Sequence, residues 1–295
     1  HFQASRIVAF GDESSLLVDS GDHNASKYSV NATVSATDLT IACTVNPLWI
    51  QGVANIYGLV FPECNNGSPP VAEPVSRIRA AFGATSADLG AQIDAQQAES
   101  PLGAGDLVTV MVGANDVLAL YAQYPTQSAD QLVAAAEAAG AETGRQVNRL
   151  TSLGAKVLLS TIFDMGVTPF AASERAAHAD TDRAALLTQI SSRYNALMRA
   201  TIVNDGRVIG LVLMDQFVTD VSLVPGAGGF TNFTDAVCDL TKSQLTPPSS
   251  LDCTAQTFVI NGSPAYLWAD NLHLSATGQS SLGALAVSRA QNNPF

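Results

Sequence analysis

Hydrophobic residues along the chain form short continuous runs, and helical patterns lie between them. Residues 6–10, 107–112, 156–162 and 208–213 are apolar at nearly every position. Such runs are typical of strands that helices cover on both faces of a parallel sheet. Because strands and helices alternate, the pattern predicts an α/β fold with a mostly parallel central sheet.

Two of the intervening helices have clear sequence signals. Ser128 and Gln131 have the spacing of a capping box and start an alanine-rich stretch that should remain helical to Leu153. Apolar residues spaced three and four apart, from Leu187 to Thr201, predict a second helix with its apolar face in the core. No repeat or linker divides the sequence, so we expect one domain over residues 1–295.

Composition and charge exclude several classes of protein. The chain is 47% hydrophobic and 14% charged, which is enough to build a large core. Its formal net charge of -12 would repel phosphate backbones, so nucleic acid is not an expected partner. Lys156, Asp164 and Asp215 interrupt the most apolar runs, and we expect no membrane span. The first run closes at Gly11 and Asp12, so we expect no signal peptide in this chain.

The four cysteines fall into two local pairs. Cys43 with Cys64, and Cys238 with Cys253, lie in segments rich in Pro, Gly and Asn. We expect disulfides 43–64 and 238–253, which indicate an oxidising compartment and so a secreted or periplasmic protein. A zinc site is the alternative, but no Cys-x-x-Cys occurs and the histidines have no ligand spacing.

Two stretches, residues 20–75 and 224–265, fall outside the alternation of strands and helices. Each contains one cysteine pair, so we expect long loops that the disulfides hold over an edge of the sheet. Such loops commonly shape access to a site.

The candidate catalytic residues follow predicted strands or lie near the carboxyl end. Ser14 supplies a hydroxyl, Asn115 an amide, and Asp270 with His273 a carboxylate and an imidazole. Reactive groups gather at the carboxyl ends of parallel strands, and these groups are the parts of an acyl-transfer site. His273 would take the proton of the serine hydroxyl, and Asp270 would orient the imidazole.

The order of these motifs resembles that of the SGNH/GDSL hydrolase superfamily. The resemblance rests on Phe10-Gly11-Asp12 followed by serine, Gly113-Ala114-Asn115-Asp116 and Asp270-Asn271-Leu272-His273, with a second-block match at residues 81–89. It implies a flavodoxin-like three-layer sandwich with a central, mostly parallel sheet. It also implies an oxyanion hole formed by the backbone N–H of Ser14, by Gly83 and by Asn115, with no metal or organic cofactor.

One residue departs from the family pattern. The family has its nucleophile directly after Gly-Asp, and this chain has Glu13 there, followed by Ser14 and Ser15. Three interpretations follow: Ser14 is the nucleophile of a turn with one extra residue, Ser15 is, or Glu13 occupies the position itself. In the third case a serine mechanism is lost, because a carboxylate opposes formation of an oxyanion nearby.

The predicted function is that of a secreted serine esterase or lipase, which hydrolyses small or polymeric carboxylic esters through an acyl-enzyme. The alternatives are a carbohydrate O-acetyl esterase and, because of Glu13, a non-catalytic binding protein on the same fold. Among the other polar residues, we expect Asp12 to accept hydrogen bonds within its turn and Asp116 to bond backbone near Asn115. Trp49 should belong to the core.

Overall fold

The computed structural model describes residues 1–224 and 226–295, and a parallel sheet forms its centre. The described residues form nine strands, which are β1 (Arg6–Gly11), β2 (Leu17–Val18), β3 (Ser26–Lys27), β4 (Arg77–Ile78), β5 (Asp106–Met111), β6 (Lys156–Ser160), β7 (Ile209–Val212), β8 (Asn232–Ala236) and β9 (Tyr266–Trp268). The central sheet has the order β4-β1-β5-β6-β7, and all its neighbouring strands are parallel. Strands β2 and β3 form an antiparallel pair, and β8 pairs with β9.

Helices flank this sheet. They are α1 (Trp49–Asn55), α2 (Leu89–Glu99), α3 (Ala114–Tyr121), α4 (Ala129–Ser152), α5 (Pro169–Ala177), α6 (Arg183–Thr201), α7 (Met214–Leu223) and α8 (Ala276–Asn292). Helix α4 packs along α6 and contacts β6, whereas α8 packs on α1 and contacts β6 and β7. The predicted α/β fold with a parallel sheet is confirmed.

The apolar runs form the strands as predicted, and every residue of β5 is buried. The four predicted strands are β1, β5, β6 and β7. Strand β4 was not predicted, because it is two residues long and includes the polar Arg77. The capping box at Ser128 is confirmed. The Ser128 hydroxyl accepts a hydrogen bond from the backbone N–H of Gln131, and the side-chain oxygen of Gln131 accepts one from the backbone N–H of Ser128.

The predicted apolar face of α6 is also confirmed. Leu187, Ile190 and Tyr194 are completely buried. Their spacing places them along one side of the helix, where they reach the core.

Both predicted disulfides are present. Cys43 bonds to Cys64 and Cys238 to Cys253, with Cα–Cα distances of 5.9 Å in each case. Because every cysteine is in a disulfide, the zinc alternative is wrong. The bridges lie in the two predicted loop regions, although Pro225 of the second region lies outside the described residues. No helix in the described part of the chain is both long and apolar enough to cross a membrane.

The strand order brings the candidate residues to one edge of the sheet. Gly11, at the end of β1, pairs with Met111 at the end of β5. The loops that follow these strands therefore leave the sheet side by side, and they bring the Asp12 turn next to the start of α3.

Candidate active site

A tight turn after β1 presents Glu13 to the site. Gly11 has φ +126°, and a Cβ atom there would lie 1.9 Å from the carbonyl oxygen of Met111, so only glycine fits. The backbone N–H of Asp12 donates to the same carbonyl at 3.1 Å. The Asp12 carboxylate accepts from the N–H of Ser14 at 2.9 Å and caps the 3₁₀ turn Glu13–Ser15. The predicted role of Asp12 in this turn is confirmed.

Asp270 and His273 form a locally organised pair. Nδ1 of His273 lies 2.9 Å and 2.8 Å from the two carboxylate oxygens of Asp270. The same carboxylate accepts the backbone N–H groups of Leu272 and His273, and the hydroxyl of Ser250 donates to it at 2.5 Å. Asp270 therefore fixes the orientation of the ring and leaves Nε2 free to face the site.

Nε2 of His273 faces Glu13. It lies 3.1 Å from Oε1 of the Glu13 carboxylate, across a sequence separation of 260 residues. Glu13 is only 7% exposed, so this contact is shielded from solvent. Of the three sequence interpretations, this geometry agrees with the third, in which Glu13 itself occupies the nucleophile's position.

The second oxygen of Glu13 lies between two hydrogen-bond donors. Oε2 accepts from the backbone N–H of Gly83 at 3.1 Å and from the side-chain amide of Asn115 at 2.9 Å. These are two of the three donors that the family resemblance implied for an oxyanion hole. The structure therefore brings Gly83, Asn115 and His273 together around the Glu13 carboxylate, and Asp270 contacts the other ring nitrogen of His273.

Close packing holds the two donors in place. A Cβ atom at Gly113 would lie 2.4 Å from the ring of Tyr194, whose hydroxyl donates to the carbonyl of Val112 at 2.6 Å. Glycine at this position lets α3 begin tightly against α6 and aims Asn115 at the site. The Asn115 amide also donates to the carbonyl of Ala84 at 3.1 Å.

Asp116 connects α3 to the loop of the other donor. Its carboxylate accepts from the backbone N–H of Ser86 at 2.9 Å and from the Ser86 hydroxyl at 2.6 Å. The expectation that Asp116 bonds backbone is therefore confirmed, and its partner is Ser86. Asp116 is largely buried, and burial raises the pKa of its carboxyl group.

The order of atoms along the Glu13 side chain matches that of an acylated serine. In an acyl-serine, Cβ is joined to Oγ, then to the acyl carbon with its carbonyl oxygen. In Glu13, Cβ is joined to Cγ, then to the carboxyl carbon with its two oxygens. Oε2 then corresponds to the carbonyl oxygen in the donor pair, and Oε1 to the oxygen that contacts the imidazole. The site is therefore shaped for a carboxyl group.

The three charged groups stabilise one another. Burial lowers the pKa of His273, but the charges and hydrogen bonds of Asp270 and Glu13 outweigh this and raise it to about 10. Burial raises the pKa of Glu13, but the hydrogen bond and charge of His273 and the Asn115 amide shift it below its ordinary value. At neutral pH the site therefore holds an imidazolium between two carboxylates.

A further buried carboxyl group, that of Asp12, lies beside these three charged groups. Burial, and then the charge of Glu13, raise the pKa of Asp12 to about 7. Asp12 therefore titrates in the neutral range, next to Glu13 in the chain.

The predicted contact between Ser14 and His273 is not formed in the structure. The backbone N–H of Ser14 donates to Asp12, so it is not the third oxyanion donor that the sequence predicted. In the described part of the chain, the Ser14 hydroxyl makes no hydrogen bond to His273. The cause is the turn after Gly11, which directs the side chain of Glu13, and not that of Ser14, toward the ring.

Ser15 is also placed away from the imidazole. It is completely buried, and its hydroxyl accepts from Nε1 of Trp49 at 3.0 Å. Trp49 is itself fully buried, which confirms its expected place in the core. Trp268 is buried as well, and its Nε1 donates to the carbonyl of Phe233.

Sequence reasoning missed two aromatic residues at the site. Tyr28 lies with its ring centroid 5.7 Å from that of His273 and 5.0 Å from that of Phe82, which is 63% exposed. Phe82 directly precedes the donor Gly83, and its position was a usable signal. Tyr28 lies in a long loop and has no sequence signal of this kind.

The fold and the site define a class of protein: a parallel α/β domain with an aspartate-oriented histidine and two N–H donors that converge on one side chain beside it. A family model described as GDSL-like Lipase/Acylhydrolase matches residues 47–285, and the chain belongs to this family. The resemblance to SGNH/GDSL hydrolases is thus confirmed. No curated protein sequence matches the chain.

Solved structures agree with this fold. A catalytic mutant of Axe2, an acetylxylan esterase from Geobacillus stearothermophilus, is similar with a TM-score of 0.50 and 14% sequence identity, over 99% of this chain and 96% of that one. The lipase Lip_vut3 from goat rumen metagenome is similar with a TM-score of 0.51 and 13% identity, over 98% and 99%. At these identities the likeness concerns the fold.

Proposed function

We propose that this protein hydrolyses carboxylic esters by direct attack of water, with Glu13 as the general base and His273 as the general acid. One observation carries the proposal: the Glu13 carboxylate contacts Nε2 of His273 through one oxygen and both oxyanion donors through the other. General acid–base catalysis of this kind needs no serine and no covalent intermediate.

Substrate binding requires a rotation of the Glu13 side chain. The carbonyl oxygen of the ester would replace Oε2 between the N–H of Gly83 and the amide of Asn115, which stabilise the developing oxyanion. Glu13 would remain near His273 and hold a water molecule. The turn backbone stays as it is, because only side-chain torsions change.

The reaction then balances without a cofactor. The water oxygen attacks the acyl carbon, and its proton passes to the Glu13 carboxylate. The C–O bond to the alcohol breaks as the leaving oxygen takes the proton on Nε2 of His273. The proton on Glu13 then moves to His273, which restores both groups and releases a carboxylic acid and an alcohol.

The charge states of the two residues suit these roles. Glu13 has a pKa below its ordinary value and is ionised at neutral pH, as a base must be. His273 has a pKa of about 10 and holds the proton that an acid must give. In a serine mechanism the imidazole has to be neutral to accept a proton, so this electrostatic arrangement favours attack by water.

A second candidate function is binding without hydrolysis. It is favoured by the same Oε2 contact, because a carboxylate that stays between Gly83 and Asn115 leaves no space for an ester carbonyl. In that case Glu13 is a permanent internal substitute for the acyl group.

We further propose a single domain and a secreted or periplasmic location, which the two disulfides favour. Carbohydrate O-acetyl esters fall within the proposed substrate class, since they would use the same catalytic groups. A panel of short-chain nitrophenyl esters and acetylated sugars tests which esters are accepted.

A fluorophosphonate label and three variants separate the mechanisms. Water attack predicts ester hydrolysis without labelling, loss of hydrolysis in Glu13→Gln and His273→Ala, and little change in Ser14→Ala. Labelling at Ser14, with loss of hydrolysis in Ser14→Ala, would establish the serine mechanism instead. Absence of hydrolysis in the natural chain, with activity gained in Glu13→Ser, would show that Glu13 blocks the ester site and would contradict the proposed hydrolysis in favour of the second candidate.

A further inference from the structure

A cavity separate from the ester site lies between the two disulfide-held loops and the start of α8. Its volume is about 550 Å³, within the roughly 300–1,000 Å³ range of small-molecule sites. Most of its lining residues fall within three parts of the chain, residues 30–36 with 46–47, residues 255–258, and residues 275–280. Glu13, Gly83, Asn115 and His273 do not line it.

The lining of the cavity carries no ionisable side chain among the described residues. A charged ligand would find no partner of opposite charge in this lining, so the cavity favours a neutral ligand. This separates it chemically from the ester site, which holds three charged groups.

Several polar groups in the cavity have hydrogen-bonding capacity to spare. The Asn46 amide donates to the carbonyl of Val30, and its oxygen accepts no hydrogen bond from the described residues. Gln256 accepts from Thr254 through its oxygen, which leaves its amide hydrogens to a ligand. Ser280 adds an exposed hydroxyl.

Apolar surface alternates with these groups. Val30, Val237 and the half-buried Phe258 contribute to the same lining. A carbohydrate ring matches this combination, since its hydroxyls suit amides and hydroxyls while its C–H faces suit an aromatic ring and aliphatic groups.

The walls are fixed before any ligand binds. The buried ammonium of Lys27 donates to the backbone carbonyls of Cys43, Val45 and Asn46, at 3.0, 3.3 and 2.8 Å. The two hydrogens of the buried Asn31 amide are shared among the carbonyls of residues 27, 250, 251 and 253, all within hydrogen-bond distance, which joins the two loops. A preformed cavity lowers the entropic cost of binding.

From the cavity's size, uncharged lining, spare polar groups and rigidity, we infer that it is a second binding site, for a neutral carbohydrate of about disaccharide size. It adjoins the ester site along the chain. Val30 follows Tyr28, whose ring lies against His273, and Ser275 follows His273 by two residues. A saccharide bound there would lie next to the segments that shape the ester site. The inference does not depend on the proposed hydrolysis.

Isothermal titration of the intact chain with xylobiose, cellobiose and maltose tests the inference. We expect at least one to bind with a dissociation constant in the millimolar range or below. Ser280→Trp fills the cavity and should weaken binding at least tenfold. Ala284→Trp is the matched control, since it lies exposed on the same helix outside the lining, and should leave binding within twofold.

Further variants keep the result interpretable. Ala36→Trp places a large ring in the cavity from a different part of the lining and should reproduce the loss if Ser280→Trp fails to fold. Glu13→Gln should leave saccharide binding unchanged. Absence of binding by all three disaccharides at millimolar concentration would overturn the inference. So would binding that survives both tryptophan variants, or binding that Glu13→Gln abolishes, because that ligand would occupy the ester site.

Discussion

Replacing Glu13 with glutamine removes the proposed base while keeping the length and shape of the side chain. The Gln oxygen would take the position of Oε2, since Gly83 and Asn115 both donate there. Its NH₂ group would then face Nε2 of His273 and favour the neutral ring, because a protonated nitrogen cannot accept that bond. One substitution therefore removes the base and also discharges the acid.

The expected loss follows from the worth of a general base. Such a group contributes about 10²–10⁴-fold, or about 2.7–5.4 kcal/mol at about 1.36 kcal/mol per tenfold. Since the proton of His273 is lost too, we expect the upper half of this range. The assay is steady-state hydrolysis of p-nitrophenyl acetate and of an unactivated alkyl ester at neutral pH. The loss should be larger for the alkyl ester, whose leaving group needs the acid more.

Ser14→Ala is the matched control, because it changes the neighbouring residue of the same turn. Its rate should stay within about twofold of the natural chain, since the structure gives the Ser14 hydroxyl no bond to His273. The reasoning is refuted if Glu13→Gln keeps its activity, or if Ser14→Ala loses more than about tenfold.

Four further outcomes are expected. Asn115→Ala should lower turnover about 10²–10³-fold with little change in KM, and a change in KM alone would remove Asn115 from the oxyanion hole. His273→Ala should leave less than about a tenth of the activity, measured on the same esters. Glu13→Gln should lower the pKa of His273 from about 10, which NMR titration of the ring will detect, and an unchanged titration would contradict the Glu13 contact. The pKa of His273 in the folded protein, about 10, exceeds its ordinary value of 6.5. The stability that protonated His273 contributes should therefore be complete below pH 6.5 and lost as the pH rises through about 10. Urea unfolding of the natural chain and of Glu13→Gln across this pH range will measure the loss.

The sequence by itself determined the parts of this protein that depend on local pattern. Continuous apolar runs predicted the four longest strands of the central sheet, and Ser128 with Gln131 predicted the start of α4. Both predictions succeed because burial on both faces and helix capping each require particular residue types within a few positions of the chain. The disulfides followed from local cysteine pairs. Asp270 and His273 are three residues apart, so their pairing was also open to local reasoning.

Only the tertiary structure decided which residue faces the imidazole. Glu13, Ser14 and Ser15 are adjacent, and a shift of one residue in the turn exchanges their positions. The choice depends on the contact of Gly11 with Met111 and on the hydrogen bond of Ser15 with Trp49, both between residues distant in the chain. The shift of the His273 pKa likewise needs two carboxylates brought together from opposite ends of the sequence. Contacts of this kind form when distant parts of the chain come together in the fold, so the local sequence pattern does not predict them.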